Sequence, residues 1–310
     1  MTTQKLRELL RRFGLIISFL LLCVVLALLS DRFLTVNNIV NVLRQSTING
    51  IIAVGMTFVI LTAGIDLSVG ATLALSTVVT ANLLQQSIPV LLAVLIGLAL
   101  GAALGFLNGI IITKARVPPF VATLGMMTVA RGLALTYTQG RPITGLPDAF
   151  RFIGTGSLGP IPMPIVIAGL TFLVGWIVLN RTRMGEYIYA IGNNPVAARY
   201  AGIATDSYIT FVYVLAGLLS ALAGMILVAR LNSAQPTAGI GYEFDAIAAV
   251  VVGGTSFAGG EGGLGGTLLG VLVIAIINNG LNLLNVSSFY QPVVTGIVIA
   301  LALLIYRAIR

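Results

Sequence analysis

Long apolar runs constrain this chain more than any other feature. A helix that crosses a bilayer needs about 20 mostly apolar residues, and ten runs of this kind follow one another along the sequence. Glycine, proline and charged residues separate them, as at Thr62–Asp66 and Lys114–Pro119. The runs cover residues 13–30, 46–63, 67–86, 89–113, 119–137, 162–179, 207–230, 244–260, 264–284 and 290–306. This pattern predicts an all-α membrane protein with about ten transmembrane helices in a single domain, residues 1–310.

Composition supports a lipid-embedded chain and excludes a nucleic-acid partner. Hydrophobic residues make up 58% of the sequence and charged residues only 8%, whereas a soluble domain carries about 25% charged residues. The formal net charge of +8 comes from basic residues in short loops, which is typical of the cytoplasmic side of a membrane protein. We therefore expect membrane lipid around the chain and a location in the plasma membrane.

The basic residues also predict the orientation. Ten spans place both ends on one side of the membrane, and both ends are basic, so we expect both termini in the cytoplasm. The run at 13–29 is longer than the apolar region of a signal peptide, so it is interpreted as a retained first helix. On this topology the cytoplasmic cations are Lys5, Arg7, Arg11, Arg12, Lys114, Arg116, Arg181, Arg183, Arg199, Arg307 and Arg310, and the external ones are Arg32, Arg44, Arg141 and Arg151.

A short motif occurs twice in the chain. The sequence Thr-Ala-Gly-Ile at residues 62–65 precedes Asp66, and it recurs at 237–240 before Asp245. One interpretation is an inverted repeat of spans 2–5 and 7–10, an architecture found in many transporters. The alternative is chance similarity between apolar, glycine-rich segments.

The residue types exclude most catalytic and cofactor chemistry. The chain has no histidine and one cysteine, Cys23, so we expect no metal site, no cofactor and no Ser-His-Asp or Cys-His nucleophile. It has no G-x-x-x-x-G-K-[ST] sequence and thus no P-loop for ATP. A formal G-x-G-x-x-G match at Gly260, Gly262 and Gly265 lacks the preceding strand of a dinucleotide site. We expect a protein that is not an enzyme.

Few charges lie among the apolar runs, and each is costly there. A charge at the bilayer centre costs at least ~2.5–3.5 kcal/mol, so it should face protein or water. The candidates for capping a helix or lining a pathway are Asp66, Ser68, Glu243 and Asp245. Four glycines at intervals of four, Gly97, Gly101, Gly105 and Gly109, predict a smooth helix groove that packs against a neighbouring helix, more readily within the subunit than between subunits.

The long polar connection at 180–206 contains a short predicted helix. Asn194 is a good N-cap, Pro195 suits the first helical position and Gly202 suits the C-terminal end. Small alanines at 197 and 198 would let this helix seat in a groove of another protein, with Arg199 available for an acidic partner. The plainer alternative is a capped loop helix without a partner.

This loop resembles the coupling segment of permease subunits in ATP-binding-cassette sugar importers. The matching sequence is G-N-N-P-x-A-A-R-x-x-G-I at residues 192–203, and further hallmarks stand at 64–70, 234–256 and 278–282. Together these motifs cover most of residues 33–306, and the likeness is greatest to the bacterial ribose permeases.

The resemblance implies partners and a mechanism. Two copies of the permease would form the pathway and dock two cytoplasmic ATP-binding subunits or one tandem ATPase, and an extracytoplasmic sugar-binding protein would deliver the sugar. Closure of the ATPase pair would drive alternating access to ribose or a related monosaccharide. The residues implied in coupling to the ATPase are Gly192, Asn193, Asn194, Pro195, Ala197, Ala198, Arg199 and Gly202.

Several alternatives remain at this point. Related permeases carry other pentoses or hexoses, autoinducer-like furanoses or branched-chain amino acids. A secondary carrier driven by an ion gradient would be active alone, whereas this chain should need an ATPase. A membrane-embedded enzyme is disfavoured because the sequence has no histidine and no paired acids in one cluster.

Overall fold

The computed structural model describes residues 3–298 and residue 300, and most of these are helical. Within them, four strands of two residues form two antiparallel pairs: β1 (Ile143–Thr144) with β4 (Ser233–Ala234), and β2 (Ser157–Leu158) with β3 (Ile161–Pro162). The helices are α1 (Thr3–Leu29), α2 (Val36–Leu61), α3 (Val69–Gln85), α4 (Val90–Thr113), α5 (Pro119–Thr138), α6 (Asp148–Thr155), α7 (Met163–Arg181), α8 (Arg183–Asn193), α9 (Pro195–Tyr200), α10 (Thr205–Leu231), α11 (Tyr242–Val252) and α12 (Leu264–Leu283), followed by a 3-10 turn (Ser288–Tyr290) and helical residues at 291–298.

Six helices of the described part of the chain are long and apolar enough to cross a membrane, namely α2, α4, α5, α7, α10 and α12. Two shorter apolar helices accompany them, Gly14–Leu29 within α1 and the whole of α3. The predicted class, an all-α protein with apolar helices that can span a membrane, is confirmed.

The prediction of one continuous helix over 244–260 is wrong. Helix α11 ends at Val252, and the chain turns through the glycine pair that follows, with Gly254 at φ +87°. Glycine adopts such angles at little cost, which is why the helix stops there. Eleven residues span only about 16 Å at ~1.5 Å per residue, about half of a bilayer core of ~30 Å. The predicted run at 290–306 is helical at 291–298, and its last part lies outside the described residues.

The spans divide into central and peripheral helices. The apolar windows of α2 and α10 are 78% and 72% buried, whereas those of α4, α5 and α7 are only 22–28% buried. Large apolar side chains cover the outer faces of the peripheral helices, among them Leu92, Leu95, Val121, Val129, Leu133, Leu170, Leu173 and Val174. An exposed apolar surface of this extent is stable only in lipid.

The glycine groove of α4 packs against α10, inside the subunit as predicted. A Cβ atom at Gly105 would lie 2.1 Å from the carbonyl oxygen of Tyr213, and one at Gly101 would lie 2.5 Å from that of Gly217. Gly217 in turn has no room for a Cβ beside Gly101. The two backbones therefore touch directly, which is the close approach that small residues permit.

Two breaks in the helices meet within the fold. After α2 the chain turns at Ala63, which has φ +58°, and after α10 it turns at Asn232, which has φ +52°. The segments that follow lead into α3 and α11, and they come together where a Cβ at Gly70 would lie 2.1 Å from the carbonyl oxygen of Gly239. Irregular backbone of this kind is tolerated at membrane depth only where protein or a water-filled cavity surrounds it.

The contact between α4 and α10 predicts a sharp difference between two glycines. We expect Gly105→Ala to destabilise the protein by about 1–3 kcal/mol, because the added methyl group overpacks a backbone contact. Gly169→Ala is the matched control, since a Cβ at Gly169 on α7 has no atom within 4 Å. Thermal denaturation in detergent, followed by size-exclusion chromatography, measures the effect. Equal melting temperatures for the two variants would contradict the packing described here.

Candidate functional site

Helix α9 is capped as the sequence predicts. The side chain of Asn194 accepts hydrogen bonds from the backbone N–H groups of Val196 and Ala197, at 3.1 and 2.9 Å. Pro195 occupies the first helical turn, and Gly202 follows the helix with φ +83°. The predicted N-cap, first-turn proline and terminal glycine are all confirmed.

The two faces of α9 differ in exposure. Ala198 is 5% exposed and faces the rest of the chain, whereas Val196 is 62% and Tyr200 is 89% exposed. Positions four apart lie on the same side of a helix, so Val196 and Tyr200 form one outward apolar ridge, and Ala197 is exposed beside it. Ala198 is thus a packing residue, and the ridge is the part of α9 that another protein can reach.

Arg199 already has an acidic partner within the chain. Its Nη2 atom lies 2.9 Å from Asp206 Oδ1 and 3.0 Å from Thr205 Oγ1. The same carboxylate lies 3.5 Å from Lys114 Nζ and 3.7 Å from Arg116 Nη2. The Arg199 side chain is 54% exposed, so its availability for a partner's acid stays a prediction. The first role of Arg199 is to tie α9 to the start of α10 and, through Asp206, to the connection between α4 and α5.

Gly192 is an internal contact rather than part of an outer surface. A Cβ there would lie 1.9 Å from the carbonyl oxygen of Leu61 and 2.3 Å from the backbone nitrogen of Gly260. That nitrogen donates to the same Leu61 oxygen at 2.9 Å. The backbones of three segments therefore meet at one point: the end of α8, the end of α2 and the glycine-rich turn at 253–263. Gly192 cannot also seat on a partner, although Asn193 and Asn194 remain exposed.

A tyrosine and an asparagine fix α8 to the glycine-rich turn at 253–263. The Tyr189 hydroxyl donates to the carbonyl oxygen of Gly262 at 2.9 Å. Burial raises the pKa of Tyr189, so the hydroxyl keeps its proton for this bond. Asn193 packs against Gly260, where φ is +73° and a Cβ would clash with Asn193 Oδ1 at 2.5 Å. The turn follows helix α11, and α8 packs against it.

Asp66 and Ser68 lie at the first helix break. Asp66 is 1% exposed, and its Oδ1 atom accepts hydrogen bonds from the Ser68 backbone N–H at 2.8 Å and from the Ser68 hydroxyl at 2.6 Å. Asn108 on α4 donates to Ser68 Oγ at 2.9 Å. These residues form a polar network directly before α3, in which Asn108 Oδ1 has no hydrogen-bond partner among the described residues. Asp66 stabilises the irregular backbone of the break through its two bonds with Ser68.

Glu243 and Asp245 have different environments although they stand two residues apart. Glu243 accepts a hydrogen bond from the Gly241 backbone N–H at 3.3 Å and so satisfies a donor at the start of α11. Asp245 accepts from Asn49 Nδ2 and from Thr295 Oγ1, both at 3.3 Å. Glu243 therefore acts as the cap, and Asp245 faces a cavity between helices.

Sequence reasoning assigned no site role to the residues around Asp245, although the motif at 278–282 was noted as a family hallmark. Asn49 lies within a long apolar helix and Asn278 begins an Asn-Asn-Gly motif, and both side chains line the same cavity as Asp245. The available signal was the occurrence of several amide side chains inside apolar runs, where an unsatisfied polar group is costly.

Arg131 is a charged residue within α5, one of the helices long and apolar enough to cross a membrane, and the structure gives it hydrogen-bond partners. Its Nη1 atom donates to the carbonyl oxygens of Pro236 and Ala238, at 2.7 and 2.8 Å. Both oxygens belong to the segment between α10 and α11. Arg131 therefore supplies hydrogen bonds that this irregular segment lacks and holds it against α5.

Comparison with known proteins agrees with this architecture. A profile of the family described as "Branched-chain amino acid transport system / permease component" matches residues 38–304. The chain belongs to this permease family. It is therefore a permease component of a transport system, and the resemblance seen in the sequence motifs is confirmed. No solved structure matches the chain.

This chain is similar to several sugar permeases over nearly its whole length. It is 52% identical over 299 residues to the ribose import permease protein RbsC of Bacillus subtilis, covering 96% of this chain and 93% of the relative. It is 51% identical over 294 residues to RbsC of Escherichia coli K12, covering 94% and 92%. The D-allose permease AlsC of the same strain is 40% identical over 298 residues, covering 94% and 91%.

The Arg131 contacts predict a large cost for removing the guanidinium. We expect Arg131→Met to destabilise this permease by about 2–4 kcal/mol, because two hydrogen bonds from a charged donor are lost and both carbonyls stay unpaired. Arg141→Met, at an exposed position, is the control and should change little. Thermal melting of the purified variants in detergent measures both. If the two melted alike, the segment before α11 would not depend on Arg131.

Proposed function

We propose that this chain is the membrane permease of an ATP-driven importer for ribose or a closely related monosaccharide in the bacterial plasma membrane. The observation that carries the proposal is the 52% identity to a ribose import permease across 96% of the chain. Permeases named for D-allose and for galactose are 40% and 35% identical, so another monosaccharide is the second candidate. An amino acid is the third, because the family description names branched-chain amino acids.

The energy source is a separate protein. With no P-loop sequence in the chain, ATP is hydrolysed by two cytoplasmic ATP-binding subunits or by one tandem ATPase. An extracytoplasmic sugar-binding protein supplies the substrate, and two copies of the permease form the pathway.

The proposed topology has ten membrane crossings with both termini in the cytoplasm, and α11 makes one of them together with the irregular segment before it. On this topology the connection at 180–206, the end of α2 and the glycine-rich turn lie on the same side. Their mutual contacts support the assignment, because Gly192, Leu61 and Gly260 meet there. Lys114, Arg116 and Arg199 gather on that side around Asp206, as the positive-inside rule requires.

The proposed inverted repeat of spans 2–5 and 7–10 is supported by the packing of the helices. A two-fold relation would exchange α2 with α10, α3 with α11 and α4 with α12. This exchange maps the α4–α10 contact onto an α12–α2 contact. It also maps the α3–α10 contact onto an α11–α2 contact. All four contacts are present, and the two helix breaks meet at Gly70 and Gly239.

The proposed coupling surface is the outer ridge of α9, formed by Val196, Ala197 and Tyr200 and preceded by Asn194 and Pro195. Two large apolar side chains in water, 62% and 89% exposed, are costly unless a partner covers them. Movement of the ATPase would push α9 and α8, and their backbone contacts with α2 and the glycine-rich turn would carry the push into the membrane helices. Alternating access follows as the helices tilt.

Reconstitution tests the function as a whole. Proteoliposomes that contain the permease, its ATPase and its binding protein should accumulate labelled ribose in the presence of ATP. Omitting the ATPase or the binding protein should abolish accumulation. Uptake by the permease alone would show an ion-coupled or passive carrier instead, and uptake of leucine in place of ribose would identify the amino-acid branch.

The α9 ridge predicts a separate defect in coupling. We expect Val196→Asp and Tyr200→Glu to lower ribose uptake at least about tenfold, because each charge must be desolvated in an apolar interface. The permease should still fold, since neither side chain packs inside the chain. Ribose uptake and pull-down of the ATPase by the permease measure the effect.

Tyr290→Glu is the matched control, because Tyr290 is also exposed, at 59%, but lies at the opposite end of the proposed topology. Normal uptake and ATPase binding by the two α9 variants would remove the ridge from the coupling surface.

A further inference from the structure

A polar cavity lies where α2, α10, α11 and α12 converge. Its volume is about 190 Å³, and it is lined by six amide side chains, one hydroxyl, one carboxylate, one guanidinium and one tyrosine ring. The polar lining residues are Gln45, Ser46, Asn49, Arg230, Tyr242, Asp245, Asn278, Asn279, Asn282 and Gln291. This density of amides is unusual among helices that are otherwise apolar, and it calls for a polar occupant.

The contacts inside the cavity leave hydrogen-bonding capacity unused. Asp245 is held by two long bonds, from Asn49 Nδ2 and Thr295 Oγ1 at 3.3 Å each. A carboxylate can accept about four hydrogen bonds. The Oδ1 atom of Asn49 is buried and has no hydrogen-bond partner among the described residues. A buried acceptor without a donor costs about 1–3 kcal/mol, so a molecule that donates hydrogen bonds would stabilise the site.

The cavity adjoins a second and larger one. That space has a volume of about 510 Å³ and shares Tyr242, Asp245, Asn278 and Gln291 with the first. Its remaining lining comes from the start of α11 and from residues 292–296, including Gly241 and Thr295. Four residues face both spaces, so a solute that moved from one to the other would stay in contact with Asp245 and Asn278.

The chemistry of the lining matches a polyol. Each sugar hydroxyl donates one hydrogen bond and accepts others, and each amide side chain offers both functions. A carboxylate can accept from two adjacent hydroxyls, and the Tyr242 ring offers an apolar face to the C–H side of a sugar ring. The lining also contains one guanidinium, Arg230, and one carboxylate, Asp245, so a zwitterion such as an amino acid is the competing occupant.

We propose that this cavity is a contact site for the monosaccharide on its route through the permease, with Asp245, Asn49 and Asn278 as the main hydrogen-bonding groups. The inference rests on the proposed function and goes beyond it by naming where the sugar touches this chain. The contact is weak and transient, because tight binding in the membrane would delay release.

Transport by the complete complex tests the site first. We expect Asn278→Leu to lower the rate of ribose uptake at least about tenfold, because the sugar loses hydrogen bonds that an apolar side chain cannot replace. Stimulation of ATP hydrolysis by the loaded binding protein should persist, which separates a blocked route from a misfolded or undocked permease. Asn278→Ser should restore part of the rate. Asn41→Ala is the control, because Asn41 is exposed on α2 and does not line the cavity.

A labelling experiment reports on occupancy directly. Cys23 is the only cysteine, so Cys23→Ala gives a background in which Asn278→Cys introduces one thiol, and Asn41→Cys provides the control. Ribose should slow modification of the thiol at 278 by a small hydrophilic maleimide in the assembled complex and leave the thiol at 41 unaffected. Leucine should protect neither.

Each outcome decides the proposal. Wild-type uptake by Asn278→Leu, or equal labelling with and without ribose, would overturn the contact site while leaving the proposed function intact. Protection by leucine would overturn the assignment to a sugar. If the wild-type complex imported a different monosaccharide, the ribose assignment would fail, and protection by that sugar would still decide whether the cavity is on its route.

Discussion

The fold depends on satisfying the backbone at two places where a helix is interrupted inside an apolar bundle. With no water in the bilayer core, each free carbonyl or N–H group must find a partner in the protein. At the first break, Asp66 accepts a hydrogen bond from the Ser68 N–H, and the Tyr213 hydroxyl donates to the Ile65 oxygen at 3.3 Å. At the second, Arg131 serves two carbonyls. The charged residues near the breaks are therefore structural requirements of an irregular chain path.

Close packing of the backbone makes these breaks possible. Glycines on α4 let α10 approach until carbonyl oxygens replace side chains at the contact, and the buried helices α2 and α10 form the centre around which the other spans pack. Such contacts gain stability from dispersion and from many weak interactions rather than from a hydrophobic driving force, because lipid tails are as apolar as leucine.

The sequence predicts the helices well and the breaks poorly. Runs of apolar residues place α4, α5, α7 and α10 to within a few residues, whereas α2 begins at Val36, well before the predicted run at 46–63, because its first turns contain polar residues. Local capping chemistry places α9 correctly, since Asn194 and Gly202 act on their immediate neighbours. The short helix α11 could not be separated from the turn after it, because Gly253 and Gly254 stand in an apolar run that reads as one span. Burial of Gly192 and pairing of Arg199 with Asp206 depend on contacts between distant segments, and so does the cavity around Asp245. The order of apolar and polar residues alone does not show which distant segments come into contact.

One junction has a mechanical consequence. Where Gly192, Leu61 and Gly260 meet, main chain touches main chain, and the Gly260 nitrogen is bonded to the Leu61 oxygen at 2.9 Å. A flexible side chain would absorb a small displacement by changing its rotamer, but peptide groups in contact have no such freedom. A shift of α8 would therefore displace the end of α2 as well. The junction is therefore a rigid connection between α8 and α2. A displacement of α8 by about an ångström would reach the membrane helices with little loss.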